Sequence, residues 1–282
     1  MNYRVFLLMI TSTISFACIN TIVKFMDGYH PYQLVFFRSI GSLIICYFQI
    51  RSAGISIWGN NKKILIARGI AGVIALVLFF FVLQKVSFAT AITLQYLSPI
   101  FTSLIGVKML KEKVVPLQWI SLIICFLGVV LLSLGDLELD LFYLSIGLIS
   151  AGLSGLAYNL VRISRKTDHH LLSVFYFPLI ALPVSGIGSI PYWKTPEGWE
   201  WLLIALLGIL TQIGQVCMTK ALQSAKVASV TVYNYLGSIV SILIGLYVFN
   251  EVPTYLMLGG IVTILLGVIL FFTLKSKKVA TV

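Results

Sequence analysis

The sequence predicts an all-α polytopic membrane protein with ten transmembrane helices arranged as two inverted five-helix repeats. Three observations carry this. Of 282 residues, 59% are hydrophobic and only 10% are charged, whereas a soluble domain carries about 25% charged residues and uses them to face water. Ten apolar stretches of membrane-spanning length follow one another with short connections. The chain also matches itself at a constant offset of 139 residues. The mean hydropathy of +1.03 excludes a soluble enzyme, a disordered chain and a disulfide scaffold. Continuous apolar runs, without in–out alternation, exclude barrel strands.

A bilayer core of about 30 Å needs roughly 20 apolar residues per helix. The stretches run over 5–26, 32–50, 64–84, 88–110, 116–134, 142–162, 171–190, 200–222, 226–249 and 254–274. The first has a short polar start and no small-residue cleavage site, so it reads as a retained anchor. With the N-terminus in the cytoplasm, sixteen of the twenty Lys and Arg fall on the inside, Arg68 and Lys108 among them, and three fall outside. Arg38 lies within the second helix. This bias places both termini in the cytoplasm, and it turns the net charge of +11 into a statement about topology. Nucleic-acid binding would need a clustered basic face, which the scattered charges do not supply.

The offset aligns Asn20 with Asn159, Ser15 with Ser154, Leu83-Gln84 with Leu222-Gln223, Tyr96-Leu97 with Tyr235-Leu236, Glu112 with Glu251 and Gly128-Val129 with Gly267-Val268. Leu and Ile matches mean little in apolar helices; the Asn, Gln, Tyr, Glu and Gly matches weigh more. Five helices per unit is odd, so the second unit enters the membrane from the opposite side. Residues 1–135 form the first repeat, 142–274 the second, and 275–282 a basic cytoplasmic tail. Inverted repeats are a recurring architecture of secondary transporters, with the substrate site near the midplane between the halves.

The stretch from Ala67 to Leu132, with Ala-Thr-Ala at 89–91, Leu-Ser-Pro at 97–99 and Glu112 after the fourth helix, resembles an EamA domain of the drug/metabolite transporter superfamily. The stretch from Ala221 to Leu270, with Glu251 after the ninth helix, resembles it again. The resemblance implies ten helices, cytoplasmic termini and transport of small metabolites across the bacterial inner membrane. It leaves the substrate open. Ser238 stands opposite Pro99, so any kink at Pro99 has no counterpart in the second half.

Polar side chains at membrane depth are costly and usually face the bundle interior. They include Asn20 and Lys24 on the first helix, Arg38 on the second, Gln95 and Tyr96 on the fourth, and Tyr158 and Asn159 on the sixth. Gln212 and Gln215 lie on the eighth, and Asn234 and Tyr235 on the ninth. The resemblance implies that the third, fourth, eighth and ninth helices line a central cavity, with the first and sixth beside them. The substrate-binding candidates are therefore Asn20, Lys24, Arg38, Gln95, Tyr96, Tyr158, Asn159, Gln212, Asn234 and Tyr235. Glu112, Glu251 and Pro99 are helix-end or gating candidates. Hydrogen bonds between helices are the competing role for these polar groups, and snorkelling to headgroups is the competing role for Lys24 and Arg38. Gly147, Ala151 and Gly155 form a small-residue ridge suited to close helix packing.

The four cysteines lie inside apolar runs on different helices and read as small packing residues. No metal-ligand spacing and no GxxxxGK[ST] loop are present, so no metal, cofactor or ATP hydrolysis is expected. All nine acids and all three His fall at helix ends or in loops, which points to a facilitator or exchanger, or to proton coupling through an unconventional group. A cavity without midplane acids but with Lys24 and Arg38 nearby favours zwitterionic or carboxylate-bearing metabolites. The expected partners are a small-molecule substrate and the lipid bilayer, with no nucleic acid, in a monomer or weak homodimer. Export of an amino-acid-like compound is the leading function. Uptake or exchange of S-adenosylmethionine or nucleotide-sugar-like substrates is the second transport reading. A membrane-embedded lipid enzyme lacks a nucleophile or metal constellation, and a passive scaffold needs no inverted repeat.

Overall fold

The computed structural model describes residues 3–110, 116–136, 139–224 and 236–279. Among them all regular structure is helical: α1 (Tyr3–Phe25), α2 (Pro31–Ser52), α3 (Lys62–Leu83), α4 (Phe88–Gln95), α5 (Ser98–Leu110), α6 (Pro116–Gly135), α7 (Leu141–Ser164), α8 (His170–Ser189), a short 3-10 turn (Ile190–Tyr192), α9 (Glu200–Ser224), α10 (Leu236–Val248) and α11 (Tyr255–Val279). Among the described residues, seven segments are long and apolar enough to cross a membrane: α1, α2, α3, the α4–α5 stretch Phe88–Met109, α7, α8 through Tyr192, and α9. Large apolar side chains such as Phe48, Ile74, Phe126, Ile187 and Leu266 point outward, as the surface of a protein in lipid requires. Cys18 is exposed too, whereas Cys46 and Cys125 pack inside.

Caps set the helix starts. His30 and His169 stand 139 residues apart, each with extended backbone, and each Nδ1 accepts from the backbone N–H two residues on, at 3.4 Å from Tyr32 and 3.3 Å from Leu171. Asn61, Ser87 and Asp140 cap α3, α4 and α7 in the same manner. The fourth apolar run is not one continuous helix, as the sequence predicts over 88–110. It breaks at Tyr96-Leu97 between α4 and α5. Pro99 lies in the first turn of α5, where its missing N–H is tolerated, but it cannot bond back to the carbonyl of Gln95.

Packing repeats at the same offset. Helix α1 packs on α9 and α7 on α3, while α2 packs on α9 and α8 on α3; α2 with α8 and α6 with α11 pair across the centre. Individual contacts follow suit. A Cβ on Gly208 of α9 falls 2.8 Å from the Gly41 Cα of α2, and one on Gly69 of α3 meets Ile180 of α8. A Cβ on Gly128 falls 2.7 Å from Ile264, and one on Gly267 falls 2.6 Å from Cys125. In each case the residues exchange by 139. The ridge on α7 packs against the fourth run: Cβ atoms on Gly147 and Gly155 come to 2.9 Å from Leu94 and 2.7 Å from the Thr102 backbone.

The connections at the two ends of the bundle also correspond. On one face, the Tyr29 hydroxyl in the α1–α2 turn donates to Glu200 at the start of α9 at 2.5 Å. Burial and the neighbouring carboxylate raise the Tyr29 pKa well above the usual phenol range. On the other face, Asp168 in the α7–α8 turn accepts from the Asn60 and Asn61 backbone at 2.6 and 3.2 Å, at the start of α3. Tyr29 and Asp168 are equivalent positions, as are Asn61 and Glu200.

Candidate functional site

A cavity of about 190 Å³ lies inside the bundle, between the halves. Helices α1, α2, α3, α7, α8, α9 and α10 contribute to it, and the broken fourth run opens onto it at Gln95, Tyr96 and Ser98. Helices interrupted at a midplane site leave backbone groups and a helix N-terminus available to a solute. Here that end belongs to α5, and its partial positive charge suits an anion.

Two arginines dominate the walls. Arg38 on α2 is 2% exposed and Arg68 on α3 is 4% exposed, and both line the cavity. The Arg38 guanidinium lies 5.6 Å from the Phe80 ring centroid and that of Arg68 lies 4.8 Å from Phe177. The bare Cα of Gly72 makes room for this stack, because a Cβ there would come to 3.2 Å from Arg68 Nη1 and 3.0 Å from Phe177. Arg68 Nη2 donates to Gln215 Oε1 at 3.3 Å. Nε of Arg38, and Nε and Nη1 of Arg68, have no hydrogen-bond partner. Among the described residues, no acidic side chain lines the cavity. A buried charge costs several kcal/mol unless it is paired, and no described carboxylate pairs with either of these two cations.

Of the sequence candidates, Asn20, Arg38, Gln95, Tyr96 and Tyr158 line the cavity. Gln95 is held at its rim by a 2.8 Å bond to Ser154. Asn159 is elsewhere: fully buried, it donates to the Thr102 and Gly155 carbonyls at 2.8 and 3.1 Å and joins α7 to α5. Gln212 bonds Ser42 and Gln49 at 2.8 and 2.7 Å, joining α9 to α2. Asn234, Tyr235 and Glu112 lie outside the described residues. Arg38 does not snorkel, since its head is buried among the helices.

Lys24 does not reach the headgroups either. It pairs with Glu251 and donates to the Val86 carbonyl at 2.8 Å. Glu251 also accepts from Phe88 N–H at 2.6 Å, at the start of α4. Phe249 stacks on Phe88 with centroids 5.4 Å apart and lies under Lys24. This knot joins α1, the α3–α4 link and the α10–α11 link on the face that carries Tyr29.

Arg68 and Gln215 also line the cavity, although neither is among the binding candidates drawn from the sequence. By sequence Arg68 counts among the inside boundary charges, although it stands a full turn inside the third run. Gln215 lies one turn beyond Gln212, and only packing decides which of the two faces the cavity.

A family model described as the EamA-like transporter family matches residues 4–134 and again 141–273. The chain belongs to the EamA-like transporter family. The pseudopaline exporter CntI of Pseudomonas aeruginosa is 29% identical over 255 residues, covering 88% of each chain. Human solute carrier family 35 member G1 is 26% identical, covering 86% of this chain and 72% of the relative. The S-adenosylmethionine uptake transporter of Rickettsia prowazekii is 23% identical over 79% of this chain and 76% of the relative. One solved crystal structure superposes with a TM-score of 0.71 at 17% identity, covering 98% of this chain and 99% of that chain; it shows a shared fold. The protein is thus a multi-pass membrane protein of a transporter family.

Proposed function

We propose that this EamA-family protein is a secondary carrier, not an enzyme, that exports a small carboxylate-bearing metabolite across the cytoplasmic membrane by alternating access. The observation that carries this reading is a cavity with two buried guanidiniums and open N–H donors and, among the described residues, no acid in its walls. An arriving carboxylate supplies both the missing charge and the missing acceptors. Asn20, Gln95, Tyr96 and Tyr158 offer further polar contacts, and Phe16, Phe79 and Ile92 take its apolar part.

We read the architecture as ten spans in two inverted five-helix repeats, 1–135 and 142–274, followed by a basic tail at 275–282. The contacts that recur at an offset of 139 support this. Equivalent contacts on both faces let the two access states have similar energies, which alternating access requires. The basic-residue bias supports cytoplasmic termini. One chain encloses the cavity, which supports a monomeric working unit.

Relatives are named for export in one case and uptake in another. Charge favours export here. A cell interior held negative drives an anion outward by about 2.3 kcal/mol per charge per 100 mV. The described acids sit at helix ends, which supports a facilitator or exchanger.

The test uses purified protein in liposomes loaded with a labelled panel of amino acids, carboxylates and cationic drugs. We expect saturable efflux of a carboxylate-bearing compound that persists when the proton gradient is dissipated. Cationic drugs outcompeting the carboxylates would overturn the substrate class. Loss of flux without a proton gradient, at an unchanged substrate gradient, would overturn the facilitator reading.

A further inference from the structure

We propose that the substrate is a dianion, with two negative charges matched to Arg38 and Arg68, and that zwitterions and monoanions are poor substrates. This rests on the carboxylate reading above and narrows it. Each guanidinium has its own shelf: Arg38 lies over Phe80 and Arg68 over Phe177. A guanidinium held over an aromatic face can still donate bonds in its own plane from its N–H edge. Both keep such an edge unbonded, Nε on Arg38 and Nε with Nη1 on Arg68. Gln215 accepts one N–H of Arg68 but brings no charge.

Charge balance then decides the class. Two buried cations face a site with no carboxylate among its described walls. A monoanion neutralises one and leaves the other unpaired, whereas a dianion neutralises both. A zwitterion adds an ammonium beside two guanidiniums, which is repulsive. The N-terminus of α5, opening at Ser98, adds a favourable dipole to the same space. At about 190 Å³ the cavity suits a short compound. Two carboxylates on a short chain and a single phosphate monoester share the required charge.

The experiment measures binding to the purified full chain by thermal stabilisation. The probes are succinate, its monoamide succinamate, butyrate, aspartate and methyl phosphate. Succinate or methyl phosphate is expected to half-saturate at a concentration at least about tenfold below succinamate, butyrate and aspartate, corresponding to about 1.4 kcal/mol. Whichever of the two binds tighter identifies the source of the charge. Arg38→Gln and Arg68→Gln are each expected to bring the dianion-to-monoanion ratio close to one. Arg38→Lys and Arg68→Lys, which keep the charge, are expected to retain a preference and to show that the site still folds. The ligand-free Gln variants are expected to melt no lower than the parent, because an unpaired buried charge has been removed.

Equal binding of dianions and monoanions, or a preference that survives both Gln variants, overturns the dianion proposal and leaves the carboxylate reading standing. Binding of cationic or neutral compounds, with no binding of any anion, overturns both.

Discussion

The two halves of the molecule are alike in packing and unlike in the cavity. Gly69 and Gly208, Gly128 and Gly267, and His30 and His169 do the same work at equivalent positions. Inside the cavity the equivalence ends. Position 38 of α2 is an arginine, and its counterpart on α8 is Phe177, whose ring lies against Arg68. Asn20 lines the cavity, and its counterpart Asn159 is a buried bond between helices. The lesson is that packing contacts which recur between the two halves set the scaffold. Asymmetric side chains then give a single central site its charge.

The comparison can be broken first at the helix crossings. Alanine at Gly208 places a methyl group 2.8 Å from the Gly41 Cα, whereas alanine at Gly69 first meets the movable end of the Ile180 side chain, with the Tyr176 carbonyl further off at 3.0 Å. Backbone cannot turn aside, so Gly208→Ala is expected to cost up to about 3 kcal/mol, and Gly69→Ala clearly less. Unfolding of the purified protein in graded denaturing detergent measures both. Equal losses would show that the two crossings respond alike despite their different contacts.

A smaller effect sharpens the cavity side. Phe177→Leu removes the shelf under Arg68 while keeping an apolar wall, and it is expected to weaken anion binding by about 1 kcal/mol, roughly fivefold. Thermal stabilisation by the bound anion reads this. Unchanged affinity would mean that Arg68 is positioned by Gln215 alone.

The smallest effect concerns the paired histidine caps. Burial holds the His30 and His169 pKa values below 6.5, with Lys220 adding to the effect at His169. The folded state thus favours neutral imidazole, whose Nδ1 accepts the capping bond. That stability is complete above pH 6.5 and is lost as pH falls through the lowered values. A melting temperature that declines from pH 7 to pH 5 is expected, with a shallower decline in the His30→Asn, His169→Asn double variant, because Asn caps without titrating. An identical pH slope in both proteins would remove the histidines from the account.

Much of the scaffold was legible in the sequence because membrane helices announce themselves by apolar length, and because a gapless offset survives on Asn, Gln, Glu and Gly. The break at Tyr96-Leu97 was less legible. Pro99 signalled it, but proline is tolerated in membrane helices and the run stays apolar throughout. The site was half legible. Residue type marked Arg38, Gln95 and Tyr158 as costly at membrane depth, and a costly group needs a reason to be there. Which helix face turns inward depends on packing between distant segments, so Asn20 and Asn159 could not be told apart. Arg68 was hidden because a cation one turn from a helix end reads equally as a topology signal.

The most direct test of the central claim, a central site open in turn to either membrane face, is thiol labelling at the paired asparagines. Native cysteines are replaced, Asn20→Cys or Asn159→Cys is introduced, and sealed vesicles are treated from each side with a membrane-impermeant thiol reagent. The expected result is that the cysteine at position 20 reacts from both sides, in proportions that change when the transported anion is added, while the one at position 159 reacts from neither. A thiol at position 20 that reacts from one side only and ignores the anion, or one at position 159 that reacts as readily, would contradict the account.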